Sequence, residues 1–214
     1  MAGSRLRGVI ERYILFDVDG TLIDAVESQR RTWTAWARQY GLDPEKVLEI
    51  ATRGRPAETF AAVAAQQDPD ECLALLHRLE DAEEQRGYDA IDGAAELLES
   101  LPPEAWALVT SNYAHRVRGR FDRIGLPLPE LIIDADAVTR GKPAPDPYLL
   151  AVRELGARPE RCLVVEDSDS GVRSGRQAGL TVWQVNAAVP CADAHRHYPS
   201  LRTAGDDIRS FIAA

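Results

Sequence analysis

Tyr13-Ile14-Leu15-Phe16-Asp17-Val18-Asp19-Gly20-Thr21-Leu22-Ile23-Asp24 is an apolar, β-prone run that stops at two aspartates one residue apart. Side chains alternate along a strand, so Asp17 and Asp19 share a face if the strand runs through both. Gly20 then lets the chain turn sharply. Two carboxylates this close cannot both ionise cheaply without a cation or a proton between them. The pattern suits a carboxylate nucleophile beside a carboxylic-acid proton donor, with a divalent metal offsetting the charge. On its own, Asp-x-Asp-Gly also describes an ordinary strand followed by a turn.

Working outward, further strand-like runs fall at Trp106–Thr110, Leu131–Ile133, Cys162–Glu166 and Thr181–Val185. Helical patterns at Tyr113–Ile124, Asp146–Leu155 and Asp169–Ala178 lie between them. Alternation of this kind predicts βαβ units and a parallel sheet, with ligands beyond the carboxyl ends of the strands. Residues 25–87 break the alternation, with helical spacing and no convincing strand. Val26, Arg30, Trp33, Ala37 and Tyr40 recur at helical steps and Gly41 supplies a stop. Glu58–Gln67 and Asp70–Arg86 continue the helical signal. The expectation is an α/β protein: a Rossmann-like parallel-sheet core formed by 1–24 and 88–214, interrupted by an all-helical cap at 25–87. Trp33 and Trp36 are expected to pack between helices rather than stack on a ligand.

Two later strand-like runs end in polar residues, and a third polar stretch lies in a proline-rich loop. Thr110-Ser111-Asn112 offers hydroxyls and backbone N–H groups, Gly141-Lys142-Pro143-Ala144-Pro145 fixes an ammonium in a stiff loop, and Glu166-Asp167 closes the run Cys162–Val165. Together with Leu-Phe-Asp-x-Asp-Gly-Thr-Leu-x-Asp, these four motifs, in this order, resemble the haloacid dehalogenase-like superfamily. The likeness spans about Tyr13 to Val185. It implies that Asp17 attacks phosphorus and Asp19 acts as acid and base. Thr110 or Ser111 supplies the motif hydroxyl, with Ser111 and Asn112 facing substrate, and Lys142 offsets phosphoryl charge. It further implies Mg²⁺ as the cofactor, bound by Asp17, Asp167 and the Asp19 carbonyl, with Glu166 ligating directly or through water. Asp169 reads as the N-cap of the next helix. Asp19 favours phosphatases over the dehalogenases, which lack the second aspartate. The stretch from Ala51 to Thr59 resembles the cap loop of sugar- and polyol-phosphate phosphatases, making Arg53 and Arg55 candidate specificity contacts. β-Phosphoglucomutase relatives carry a threonine and a histidine where this chain has Ala25 and Gln29, which disfavours a mutase. A non-catalytic binding protein on the same fold is disfavoured by the intact charged residues.

The chain has 214 residues, 45% hydrophobic and 28% charged, enough for one domain with a sizeable insertion. A net charge of −9 opposes general affinity for nucleic acid but not for a small anion beside a local lysine or metal. No apolar run reaches the roughly 20 residues of a membrane helix. Cys72, Cys162 and Cys191 are scattered and odd in number, and read as free thiols. The expected partner is a small phosphorylated metabolite, for a cytoplasmic monomer or weak homodimer that binds neither nucleic acid nor membrane.

Overall fold

A computed structural model describes residues 10–52 and 55–214. The first strand, β1 (Tyr13–Phe16), stands inside a six-stranded sheet whose neighbours all pair in parallel. In chain order, β2 (Ile23–Asp24) and β3 (Asp89–Ala90) form a separate antiparallel pair. The remaining core strands are β4 (Trp106–Val109), β5 (Ile132–Ile133), β6 (Cys162–Glu166), β7 (Thr181–Gln184) and β8 (Arg196–His197). Their order across the sheet is β5-β4-β1-β6-β7-β8. The chain builds outward from β1 in one direction through β4 and β5, then returns to add β6, β7 and β8 on the other side. The carboxyl end of β1 is therefore at the reversal of strand order, where open α/β sheets form their ligand crevice.

The central strands are apolar on both faces. Ile14, Phe16, Trp106, Leu108, Leu163 and Val165 enter one core, together with residues of α5 (Ala94–Ser100), α6 (Ala114–Ile124) and α9 (Leu201–Ala213). Leu15, Ala107, Val109, Cys162 and Val164 enter the other, beside α7 (Asp146–Glu154) and α8 (Asp169–Gln177). Two-residue alternation between two helix-covered faces explains why these strands read as continuous apolar runs.

Among the described residues, four helices lie between β2 and β3: α1 (Val26–Gln39), α2 (Pro44–Ala51), α3 (Pro56–Val63) and α4 (Pro69–Glu84). They have their own apolar cluster, centred on Trp36, which stacks on Phe60 with ring centroids 5.1 Å apart. Trp36 Nε1 donates to the Cys72 carbonyl at 3.0 Å, so the indole is buried without an orphaned donor. Asp43 caps α2 and Asp68 caps α4, each with proline at the start of the helix.

Several local expectations are corrected. Val26 is 55% exposed, and α1 buries Ser28 and Thr32 beside Trp33, Trp36 and Ala37. The N-cap of α8 is Ser168, whose hydroxyl accepts from the Gly171 N–H at 3.0 Å; Asp169 is the first helical residue. Helix α2, β8 and α9 were not expected from sequence. The three cysteines are buried free thiols. No helix among the described residues is long and apolar enough to cross a membrane.

Candidate active site

Parallel pairing aligns the strand ends. Phe16 is in register with Leu108 on one side and Val165 on the other, so Asp17, Val109 and Glu166 come level one residue later. The Asp17 N–H still donates to the Val165 carbonyl, at 3.0 Å. Lys142 enters across these ends from the loop before α7. Its buried ammonium donates to Asp17 Oδ1 at 2.6 Å, Glu166 Oε1 at 2.6 Å and the Val109 carbonyl at 2.8 Å. An ammonium has three donors, and all three are used.

Glu166 is 0% exposed and saturated by donors. Oε1 accepts from Lys142 and from the Tyr148 hydroxyl at 2.9 Å. Oε2 accepts from the Asp167 and Ser168 N–H groups and from the Ser168 hydroxyl, at 3.1–3.2 Å. A Cβ on Gly171 would lie 1.6 Å from Oε1, so only glycine leaves the carboxylate room.

Asp17, Glu166 and Asp167 each bring a carboxylate oxygen within 4.8 Å of the others, a group able to hold a metal ion. Asp167 is steadied by the Thr21 hydroxyl at 3.2 Å and packs against Gly20, where a Cβ would meet Oδ2 at 2.2 Å. Gly20 also has φ +95°, a backbone state that side chains oppose. Burial, followed by repulsion from Glu166, raises Asp17 to about 7 despite the opposing pull of Lys142. Asp167 is also raised well above the usual carboxylate range, by burial and then by its carboxylate neighbours Asp17 and Glu166. Burial depresses the Lys142 ammonium, but Asp17 and Glu166 outweigh it and the net displacement is upward. The cluster is short of positive charge. Hard carboxylate oxygens in that condition are the donor set that Mg²⁺ prefers.

Asp19 takes a different direction from Asp17, because the strand ends at Phe16 and the chain turns. Asp19 Oδ1 accepts from Arg120 Nη1 at 2.5 Å and Oδ2 from Asn112 Nδ2 at 3.2 Å. Thr110 is buried, its hydroxyl oxygen accepting from the Asn112 N–H at 3.0 Å, while Ser111 is exposed. Asp17, Asp19, Thr110, Ser111, Asn112, Lys142 and Asp167 all line one cavity of about 510 Å³. Its opposite wall comes from the helical insertion, including Gln29, Thr32, Trp33, Thr52 and His77. Trp33 thus serves both the helical cluster and the cavity.

Arg55 also lines the cavity, but its guanidinium donates to core carbonyls: Thr139 at 2.7 Å, Val138 at 3.0 Å and Ala135 at 3.3 Å. The arginine is a strut between insertion and core. Arg53 lies outside the described residues. Sequence reasoning missed Tyr148 and Arg120. Tyr148 reads as one more apolar position of α7. Arg120 sits in the run Arg116-Val117-Arg118-Gly119-Arg120, which looks like a solvated basic face. The usable signal was the four-residue spacing of Arg116 and Arg120 next to the apolar Val117 and Phe121, which turns both arginines inward.

The haloacid dehalogenase-like hydrolase family model matches residues 11–179. This chain belongs to that family. Hexitol phosphatase A of Escherichia coli is 42% identical over 177 residues, covering 81% of this chain and 82% of that protein. Fructose-1-phosphate phosphatase YqaB of the same organism is 28% identical, covering 79% of this chain and 95% of that protein. The crystal structure of CbbY from Rhodobacter sphaeroides in complex with phosphate aligns with a TM-score of 0.78. It is 27% identical and covers 91% of this chain and 96% of that one. This haloacid dehalogenase-like chain therefore joins a hydrolase core to a charged cavity at the reversal of its strand order.

Proposed function

We propose that the chain is a Mg²⁺-dependent phosphatase of small sugar or polyol phosphates, working through an aspartyl-phosphate on Asp17. The observation that carries the reading is Lys142 bound between Asp17 and Glu166 at 2.6 Å each, with Asp167 alongside, lining a cavity shared by the sheet core and the helical insertion. Asp17 bonds to phosphorus as the ester P–O bond breaks, and Asp19 gives its proton to the departing alkoxide. Water then attacks the acyl phosphate and loses its proton to Asp19. The bond from phosphorus to Asp17 breaks and inorganic phosphate leaves. Lys142 holds one oxygen of the nucleophile and offsets charge that builds on the phosphoryl group. Thr110, Ser111 and Asn112 supply donors to the phosphoryl oxygens.

Asp17 and Asp167, with the Asp19 carbonyl, would hold Mg²⁺, which supplies charge neutralisation for the nucleophile and phosphoryl oxygens. Glu166, already accepting from five donors, is better suited to fixing Lys142 than to ligating metal. Residues 25–87 would act as a cap over the substrate, with residues 1–24 and 88–214 carrying the chemistry. Arg55 would hold this cap against the core, and Arg53 would read the leaving group. The sugar or polyol class rests on the names of the relatives and on the cavity's mixed walls, where Gln29, Thr32 and His77 stand among apolar side chains.

Phosphate release from a panel of monoesters tests the proposal. Release with Mg²⁺, abolished by EDTA, is expected, with hexitol and hexose phosphates among the best substrates. No release from any monoester would refute it, and conversion of a hexose monophosphate without release would favour a mutase.

A further inference from the structure

Arg120 is 4% exposed and reaches three separate parts of the fold. Nη1 donates to Asp19 Oδ1 at 2.5 Å, Nε to Glu84 Oε1 at 2.7 Å and Nη2 to the Tyr88 hydroxyl at 3.1 Å. Its guanidinium also lies 4.2 Å from the centroid of the Tyr88 ring. Asp19 belongs to the core loop after β1. Glu84 ends α4, the last helix of the insertion, and Tyr88 immediately precedes β3 on the return to the core. The β2–β3 pair is where the chain leaves for the insertion and comes back.

Glu84 is in an unfavourable place for an isolated helix. The carboxyl end of a helix repels carboxylates, yet α4 finishes with Glu83 and Glu84 and has no basic residue in its last turn. The opposing charge comes from α6 instead: Arg120 and Arg123 both pair with Glu84, at 2.6 and 2.5 Å. Arg116, one turn earlier, pairs with Glu80 and Asp81. A local rule broken and compensated through tertiary contacts is the pattern found at functional sites.

We propose that Arg120 is a positioning residue that sets the orientation of Asp19 according to where the insertion sits, coupling proton-transfer geometry to closure over the substrate. The inference rests on the phosphatase reading and on Asp19 as its acid and base. A planar guanidinium has a fixed fork of donors, so it holds Asp19 and Glu84 in one mutual arrangement that an ammonium cannot reproduce. If the insertion swings about β2–β3, Glu84 and Tyr88 shift relative to α6, and the partner set of Arg120 shifts with them. Asp19 keeps the Asn112 contact in either case, so Arg120 decides its orientation more than its attachment.

The test compares wild type, Arg120→Met, Arg120→Lys and Glu84→Gln on p-nitrophenyl phosphate and on a hexitol phosphate. Each is followed by kcat, KM and the first-turnover burst of p-nitrophenolate. Arg120→Met should lower kcat on the hexitol ester by about 30- to 100-fold, since displacing a proton donor by an ångström costs on that order. KM for both esters and the burst, which needs little leaving-group protonation, should stay within about threefold. Arg120→Lys should resemble Arg120→Met. Glu84→Gln, which changes only the insertion's end of the link, should shift the hexitol-to-aryl ratio of kcat/KM, which reports the leaving-group step, the same way by about three- to tenfold. A double Arg120→Met, Glu84→Gln variant should be no slower than Arg120→Met alone.

Equal loss on both esters with loss of the burst would overturn the proposal, as would a Glu84→Gln ratio unchanged from wild type. The Glu84→Gln result decides the matter if Arg120→Met does not fold. A wild-type protein that hydrolyses neither ester with Mg²⁺ would refute the phosphatase reading itself, and this role with it.

Discussion

Replacing Glu166 by glutamine separates the two roles open to this carboxylate, lysine anchor and metal ligand. Oε1 accepts from Lys142 and Tyr148, and Oε2 accepts from two N–H groups and a hydroxyl. A glutamine amide turns one of these ends into a donor. Either orientation sets an NH₂ group against at least two donors in a fully buried site, and Gly171 leaves the side chain no other place to go. Lys142 loses one charged partner, a bond worth about 1.5–3 kcal/mol, and each donor left without an acceptor costs about 1–3 kcal/mol. Breaking a buried pair from one side costs about 3–5 kcal/mol overall. For a chain of this size that corresponds to a fall in Tm of about 6–20 °C. Urea unfolding in EDTA and again in excess Mg²⁺ measures it. The anchoring role requires the full loss in EDTA, where no metal is available. A loss below about 1 kcal/mol in EDTA would refute the reasoning. A loss that appears only with Mg²⁺ would restore Glu166 as a direct ligand.

Further outcomes follow from the same geometry. Asp17→Asn should abolish turnover in steady-state assays while circular dichroism stays native, because an amide is a poor nucleophile; activity above a few per cent of wild type would remove Asp17 from that role. Asp17 is raised to about 7 from an unfolded value near 3.8, so the metal-free protein holds an extra proton between those limits and loses stability as pH rises through them. Mg²⁺ must displace that proton, so its apparent affinity, followed by calorimetry, should fall by up to about tenfold per pH unit below 7; a flat profile from pH 5.5 to 8 would contradict the assignment. Gly171→Ala must push Glu166 off its donors and should reduce both Tm and kcat; retention of both would mean that the loop moves freely. Arg55→Ala removes three hydrogen bonds that tie the insertion to the core and should raise KM for a hexitol phosphate by about tenfold, with a smaller effect on p-nitrophenyl phosphate. An unchanged KM for the hexitol ester would contradict the strut role.

Much of the fold was legible because its signals are local. Apolar runs bounded by Gly, Pro and Asp mark β1, β4, β6 and β7, and helical spacing marks the insertion. Helix α2, capped by Asp43 with Pro44 at its start, spans only eight residues, too few for helical spacing to stand out. The two-residue strands β2, β3 and β8 are too short for any periodicity to show and exist because a neighbour is there to pair with.

The sequence alone determined which residues carry the site's charge: Asp17, Asp19, Glu166 and Asp167 follow apolar runs where the chain turns, and Lys142 stands in a proline-rich loop. Tertiary structure decided what each of them faces. Asp17 and Asp19 would share a face if the strand ran through both, but it stops at Phe16, and one carboxylate turns to Lys142 while the other turns to Arg120. Arg55 reads like a substrate contact in a loop, yet its guanidinium finds carbonyls 80 or more residues away. Arg120 reads as a surface charge and is buried between two carboxylates, 36 and 101 residues distant. Charge and hydrogen bonding act through space with no period along the chain, so the partners of a buried ion emerge only when the strands and helices that carry them have packed.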